Sequence, residues 1–215
     1  VHAYIRFGRW QELLALALPE DRKIYAMTTA MVHYGRAVAQ AVLGQIDAAT
    51  TEQSLFEAAI PNVPKQRYMH TVRCQDILAV GREMLAGELL YRTGDFDRAF
   101  AHLRQAVVLE DALPYDEPWG WMQPGRHALG ALLLEQGHIE EAATAYRADL
   151  GLDQTVIRSN QHPNNVWALQ GLHMCYQKMG ETRLAAMIKP ALDIAQGRAD
   201  QTVQSSCFCA GQTAE

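Results

Sequence analysis

The chain has 215 residues, of which 49% are hydrophobic and 20% are charged, and its formal net charge is -5. This composition is globular, and no lysine and arginine cluster is present that could follow a phosphate backbone, so nucleic acid is not an expected partner. No apolar run approaches the roughly 18 residues that span a bilayer, so a membrane is not expected either. Four cysteines do not make a disulfide framework at this length. Because the first residues also show no signal-peptide pattern, the cysteine content favours a cytoplasmic protein with reduced thiols.

Apolar residues recur along the chain with a helical period, and no segment alternates polar and apolar residues over a useful length. The predicted class is all-α. In chain order, helices are expected over residues 2–7, 10–17, 22–43, 46–58, 66–93 (with a break allowed near Arg73), 95–110, 122–136, 139–150, 164–179 and 182–198. These helices form one predicted domain over residues 1–198, and residues 199–215 follow it as a C-terminal tail.

One spacing of small residues occurs four times, with a glycine followed five residues later by an alanine. The four pairs are Gly44 and Ala49, Gly94 and Ala99, Gly137 and Ala142, and Gly180 and Ala185. Each glycine is expected to end a helix, and each alanine to lie where two helices approach closely. Seven residues before the glycine, three copies have another small residue, and the four positions are Ala37, Gly87, Gly130 and His173. The pattern predicts helix pairs that cross at small residues.

This pattern resembles the tetratricopeptide repeat (TPR). The clearest stretches are "AGELLYRTGDFDRAFAHLRQAV" and "ALGALLLEQGHIEEAATAYRADL", and a weaker copy is "ALQGLHMCYQKMGETRLAAMI". The resemblance covers about Met27 to Ala195 and implies an α-solenoid of stacked antiparallel helix pairs. The repeat glycines are 50, 43 and 43 residues apart, whereas the family repeat has about 34 residues. The excess is assigned to long loops between repeats, chiefly residues 113–125 and 151–165.

In the TPR family, the concave face carries the residues three before and one after the small residue of each first helix. The resemblance therefore places on that face Tyr34, Val38, Met84, Glu88, His127, Ala131, Gln170 and Met174, with Trp167 one turn earlier. This surface is aromatic, Met-rich and mixed polar, and it lacks the basic clamp with which some relatives hold a terminal carboxylate. The resemblance implies a groove for a peptide, a partner protein or a small-molecule ligand.

The segment "LPYDEPWGWMQPG", residues 113–125, is the most unusual stretch of the chain, and its prolines exclude a continuous helix. Its tryptophans either staple a long loop onto the helix ends or contact a ligand at the mouth of the groove. The candidate ligand-binding residues, taken from this segment and from the concave face, are Trp119, Trp121, His127, Trp167, Met84, Glu88 and Gln170.

Cys207 and Cys209 form a C-x-C pair near the C-terminus. Two thiolates at this spacing can chelate a soft ion such as copper(I) or zinc when one or two further ligands are present. The candidate metal ligands are Cys207, Cys209, His127, His162 and His173. The alternative is a tail with two unpaired thiols or a reversible disulfide. His173, which replaces a small residue at a helix crossing, can equally be a core histidine with satisfied hydrogen bonds.

The segments "YDEPWGWMQPGRHALGALLLEQG", "YRADLGLD", "QHPNNVWALQGLH" and "SCFC" together resemble the C-terminal half of one group of longer TPR proteins that end in a C-x-C tail. A histidine-rich helical half comes first in that group, which implies that part of a functional site can lie outside this chain. No nucleotide-binding or nucleophile motif is present in the sequence, so no reaction is assigned. Two hypotheses follow: a scaffold that binds a ligand in its groove, and a copper- or zinc-binding protein that can act as an oxidoreductase.

Overall fold

The computed structural model describes residues 1–207 and is built almost entirely from helices. The helices of this part of the chain are α1 (His2–Arg6), α2 (Trp10–Ala15), α3 (Ala26–Val42), α4 (Ile46–Ala59), α5 (Cys74–Arg92), α6 (Phe96–Asp111), α7 (Gly125–Glu135), α8 (Ile139–Asp149), α9 (Val166–Lys178) and α10 (Thr182–Gly197). Two short antiparallel strands are β1 (Tyr68–Met69) and β2 (Val72–Arg73), and 3-10 turns lie at Ile60–Asn62 and Arg158–Asn160. The predicted all-α class is confirmed.

The described residues form two compact units, unit 1 with residues 1–125 and unit 2 with residues 126–207. Within unit 1, α3 packs against α4, and α5 packs against α6. Within unit 2, α9 packs against both α8 and α10. Helices that follow each other in the chain therefore pack on each other, as short connections favour.

Four glycines turn the chain between successive helices. All four have a positive φ, between 73° and 84°, and they are Gly44, Gly94, Gly137 and Gly180. A residue with a Cβ rarely adopts such a φ. The amide after each glycine donates to the carbonyl five residues earlier, as Gln45 N does to Gln40 O at 2.8 Å. This hydrogen bond satisfies a carbonyl of the last helical turn and reverses the chain. The helix ends predicted at these glycines are confirmed.

Glycines also lie where neighbouring helices come closest. A Cβ on Gly87 of α5 would lie 2.7 Å from Leu103 Cγ of α6. In unit 2, the ring of Tyr146 on α8 lies against two glycines. A Cβ on Gly130 of α7 would lie 2.5 Å from Tyr146 Cζ, and a Cβ on Gly171 of α9 would overlap the same ring. The small residues at positions 87 and 130 thus allow the close approach that their spacing predicts.

The two predicted helix starts that differ most from the structure are those at residues 66 and 22. The helix expected from residue 66 begins only at Cys74, because residues 68–73 form the β1–β2 hairpin, in which His70 has a φ of 52°. The helix expected from residue 22 begins at Ala26. Before it, the side chain of Asp21 accepts hydrogen bonds from the amides of Lys23 and Ile24, at 3.0 and 2.9 Å. Such a local turn competes with the helix for the same backbone amides.

The contact between Gly171 and Tyr146 predicts that alanine is tolerated less well at Gly171 than at Gly197. The substitution Gly171→Ala is expected to lower the free energy of unfolding by about 1–3 kcal/mol, because the Tyr146 ring is held on its other side by Gly130 and cannot move away. Gly197→Ala is the matched control, since a Cβ at that helical position meets nothing within 4 Å. Urea unfolding of both variants measures the difference, and equal midpoints would contradict the packing described here.

Candidate functional site

Unit 2 buries a carboxylate between two histidines. Asp149 lies at the end of α8. Its Oδ2 is 2.9 Å from His127 Nε2 of α7, and its Oδ1 is 2.8 Å from His162 Nδ1. Asp149 and His127 are fully buried, and His162 is 9% exposed. The His162 amide also donates to the Asp149 carbonyl at 2.6 Å. Asp149 therefore connects α7 and α8 to the long loop that carries His162.

The charge of Asp149 follows from these contacts. Burial by itself raises the pKa of a carboxyl, but the attraction of His127 and the hydrogen bonds of His127 and His162 act in the opposite direction. Together they hold the pKa of Asp149 well below its usual 3.8. Asp149 is thus a carboxylate at neutral pH and can only accept, so the imidazole nitrogens that face it are donors.

The chain after α10 continues without regular secondary structure and packs back on unit 2 over residues 203–207, which we term the tail segment. Gln196, near the end of α10, donates from Nε2 to the Val203 carbonyl at 2.8 Å. Its Oε1 accepts from the Val203 amide at 3.2 Å. One side-chain amide therefore pairs with both backbone groups of Val203, which fixes where the tail segment begins.

Ser206 anchors the tail segment to α7 and α8. Its side chain is buried, and its Oγ donates to the carbonyl of His127 at 2.7 Å. A serine hydroxyl has one hydrogen, so the Tyr146 hydroxyl must be the donor in its 2.6 Å hydrogen bond with Ser206 Oγ. Burial raises the pKa of the Tyr146 phenol, which keeps this donor protonated. Tyr146 and the His127 carbonyl together form a socket for one hydroxyl group.

A cavity of about 250 Å³ lies beside the tail segment in unit 2. Its lining residues are Ala131, Leu134, Tyr146, Gly171 and Met174, which are apolar or aromatic, and Glu135, Lys178, Ser205 and Ser206, which are polar. Ala131 and Met174 occupy positions that the repeat pattern assigns to the concave face. Glu135 and Lys178 are exposed, so charges of both signs lie at the rim of an apolar cavity.

The ligand-binding residues predicted in unit 2 are not among those that line this cavity. His127 is fully buried and binds Asp149. Trp167 and Gln170, both on α9, are half-buried. The concave positions that do line the cavity are Ala131 and Met174, which follow Gly130 and His173 at the crossing positions of their repeats.

The predicted residues of unit 1 have different environments. Trp121 is 2% exposed, and its ring packs edge-on against Tyr34 at 5.4 Å and His2 at 4.5 Å between ring centroids. Trp119, in contrast, is 42% exposed. The loop that carries both is attached to the β1–β2 hairpin, since Asp116 accepts from the Thr71 amide at 3.2 Å. Trp121 therefore belongs to the core of unit 1.

Met84 and Glu88 of α5 complete the predicted set in unit 1. Met84 is half-buried. Glu88 is 6% exposed and accepts from Arg92 Nε at 2.8 Å, one helical turn later. This ion pair gives the Glu88 carboxylate a charged partner on its own helix.

The predicted metal ligands are only partly brought together. His127 and His162 meet through Asp149, with their ring centroids 6.3 Å apart. His173 is half-buried on α9. Cys207 is buried and disulfide-bonded, so its sulfur is not a free thiolate, and Cys209 lies outside the described residues. Within residues 1–207, no group of three or more histidine, cysteine, aspartate or glutamate side chains is arranged to hold a metal ion.

Three residues of the site did not appear among the candidates from the sequence: Asp149, Tyr146 and Ser206. One signal was present for the first two. Ala142, Tyr146 and Asp149 follow the helical spacing of a single face, and the alanine of that face was expected at a helix crossing. An aspartate on such a face must be paired once it is buried. Ser206 carries no comparable signal, because its burial depends on the path of the chain after α10.

Comparison of the chain with models of protein families, with curated proteins and with solved structures finds no match in any of the three. Among the described residues, no helix has the length and apolar character needed to cross a membrane. The interpretation of function therefore depends on the geometry of the two units.

The buried Asp149 predicts a pH-dependent contribution to stability. Asp149→Asn is expected to lower the free energy of unfolding by about 3–5 kcal/mol at pH 7, because it leaves two imidazoles without their charged acceptor. The pKa of Asp149 is depressed in the folded state, so its contribution is present above the unfolded pKa of about 3.9 and is lost as the pH falls below it. The difference between parent and variant should therefore shrink from pH 5 to pH 2.

The control for this experiment is Asp193→Asn. Asp193 is exposed on α10 and pairs only with Lys189 in the ion pairs described for this helix. Its removal is expected to change stability by less than about 1 kcal/mol at every pH. A difference for Asp149→Asn that stays constant down to pH 2 would contradict the assignment of Asp149 as the charged partner.

The two tryptophans of the 113–125 loop are expected to differ in their contribution to stability. Trp121→Ala removes a buried ring and should lower the free energy of unfolding by about 3–5 kcal/mol. Trp119→Ala changes an exposed ring and should cost less than about 1 kcal/mol. Thermal unfolding of the two variants compares them directly, and similar losses would show that Trp121 is not the core residue of this loop.

Proposed function

We propose that the chain is a TPR-type binding module, a solenoid of stacked helix pairs in which unit 2 holds a short peptide segment of a partner protein. The repeat glycines with positive φ and the close helix contacts at Gly87 and Gly130 support the architecture. The single observation that carries the function is the apolar cavity of unit 2, which lies at two positions, Ala131 and Met174, that the repeat pattern assigns to the concave face.

The size and lining of the cavity favour a peptide over a cofactor-sized molecule. At about 250 Å³, the cavity is smaller than the roughly 300–1,000 Å³ of typical small-molecule clefts. It suits one apolar side chain of a longer ligand whose backbone stays at the rim. Glu135 and Lys178 at that rim offer one acceptor and one donor to polar groups of the ligand.

The metal-binding alternative, with copper or zinc held by Cys207, Cys209 and histidines, has weaker support. His127 and His162 already direct one ring nitrogen each to Asp149. A disulfide at Cys207 would have to be reduced before that sulfur could bind a metal ion. This alternative stays a prediction, and metal analysis of the reduced protein tests it.

The binding hypothesis is tested by selecting displayed random peptides on the immobilised chain and measuring the affinity of the selected peptides for two variants. Met174→Lys places a charged side chain in the cavity and should weaken binding at least about tenfold. Met187→Lys makes the same change on α10, where Met187 is 66% exposed, and should leave binding unchanged. Equal affinities for the two variants, or no selected peptide at all, would refute a peptide site at this cavity.

A further inference from the structure

The tail segment, residues 203–207, contacts unit 2 through backbone hydrogen bonds and buried side chains, as a bound peptide contacts its receptor. Val203, Ser206 and Cys207 are buried, whereas Gln204 between them is exposed. Gln196 pairs with both backbone groups of Val203. Backbone recognition by a side-chain amide combined with a pocket for one side chain is a common means of peptide recognition.

The contact at Ser206 is the most selective part of this arrangement. Its hydroxyl donates to the His127 carbonyl and accepts from the Tyr146 hydroxyl, and all three groups are buried. An alanine at this position would remove both hydrogen bonds, and the buried Tyr146 hydroxyl would lose the acceptor that Ser206 provides. Tyr146 is itself fixed between Gly130 and Gly171, so its ring cannot move aside to admit a larger residue at this contact. The socket therefore selects a small residue with a hydroxyl group.

The tail segment and the cavity share their walls. Ser205 and Ser206 of the segment line the cavity together with Tyr146, Gly171 and Met174. A peptide that entered the cavity along the same path would have to displace the segment from the Tyr146 socket. A peptide that places one side chain in the cavity and also reaches the Tyr146 socket therefore competes with the chain's own segment.

We propose that the tail segment is an intramolecular peptide ligand that competes with a partner peptide carrying a small hydroxyl residue for the socket of Tyr146 and the His127 carbonyl. This inference rests on the proposed peptide-binding function and specifies the chemistry of its ligand. A segment tethered a few residues from α10 has an effective concentration in the millimolar range. A partner peptide therefore binds weakly while the tail segment is in place and more tightly when its anchor is removed.

The test uses the full chain and a synthetic peptide with the sequence of residues 201–207. The peptide carries Cys207→Ala to prevent thiol exchange and a fluorescent label, and its binding is followed by anisotropy. The chain is studied as two variants, Ser206→Ala and Ser205→Ala. The second is a matched control, because Ser205 Oγ makes only a 3.4 Å contact with the Cys207 amide in the tail segment. Both changes are conservative, and circular dichroism verifies that the helices are retained.

The Ser206→Ala chain is expected to bind the peptide at least about tenfold more tightly than the Ser205→Ala chain, since its own segment has lost both buried hydrogen bonds. The peptide is then altered in the same two ways. A peptide with Ser206→Ala should bind the Ser206→Ala chain about tenfold more weakly than a peptide with Ser205→Ala. The same serine would then matter in the chain, where it competes with the peptide, and in the peptide, where it binds. That result would assign the difference in affinity to the socket of Tyr146 and the His127 carbonyl.

Equal affinities of the two chains for the peptide, equal affinities of the two altered peptides, or no binding to the Ser206→Ala chain would each overturn this inference. The binding module itself would still stand if selected peptides discriminated Met174→Lys from Met187→Lys, since those substitutions lie on α9 and α10 and leave the sequence of the tail segment unchanged. If neither the serine variants nor the methionine variants differed in peptide affinity, the proposed binding module would be refuted as well.

Discussion

The packing of unit 2 depends on the position of one aromatic ring. Tyr146 of α8 is fully buried between Gly130 of α7 and Gly171 of α9, where neither glycine leaves space for a methyl group. The ring fixes the distance between three successive helices, and its hydroxyl reaches Ser206. A single side chain therefore sets both the helix packing and the socket that holds the tail segment. Close packing in a core transmits such a constraint because few voids exist to absorb it.

Two buried polar residues of the site lie near Tyr146 in the chain or contact it. Asp149 lies three residues after Tyr146 on the same face of α8, and its two side-chain oxygens take one imidazole from α7 and one from the loop after α8. The backbone carbonyl of one of these imidazole residues, His127, accepts the hydroxyl of Ser206. Buried polar groups are tolerated because each is paired, and the pairing connects elements that are far apart in the chain. The loop of His162 and the tail segment are thus held by one connected network.

The two long loops, residues 113–125 and 151–165, each contribute a buried side chain to a different unit. The loop of residues 113–125 contributes Trp121 to the core of unit 1 and is attached to the β1–β2 hairpin through Asp116. The loop of residues 151–165 contributes His162 to the buried network of unit 2. Connections much longer than usual are often functional. Here each of them completes the packing of its own unit.

The sequence by itself determined the helical class and the turns between paired helices, because a glycine with positive φ and an apolar helical period are local requirements. It also indicated the small residues at Gly87 and Gly130, since their spacing from the glycine turn is fixed by helix geometry. It did not reveal that residues 68–73 form a hairpin, because two short strands leave no periodic signal. Only the tertiary structure decided which helix faces meet at Tyr146, that Asp149 is paired with His127 and His162, and that Ser206 returns to them. These contacts join residues between 13 and 79 positions apart, and such pairings follow from the path of the chain in space, which no local pattern encodes.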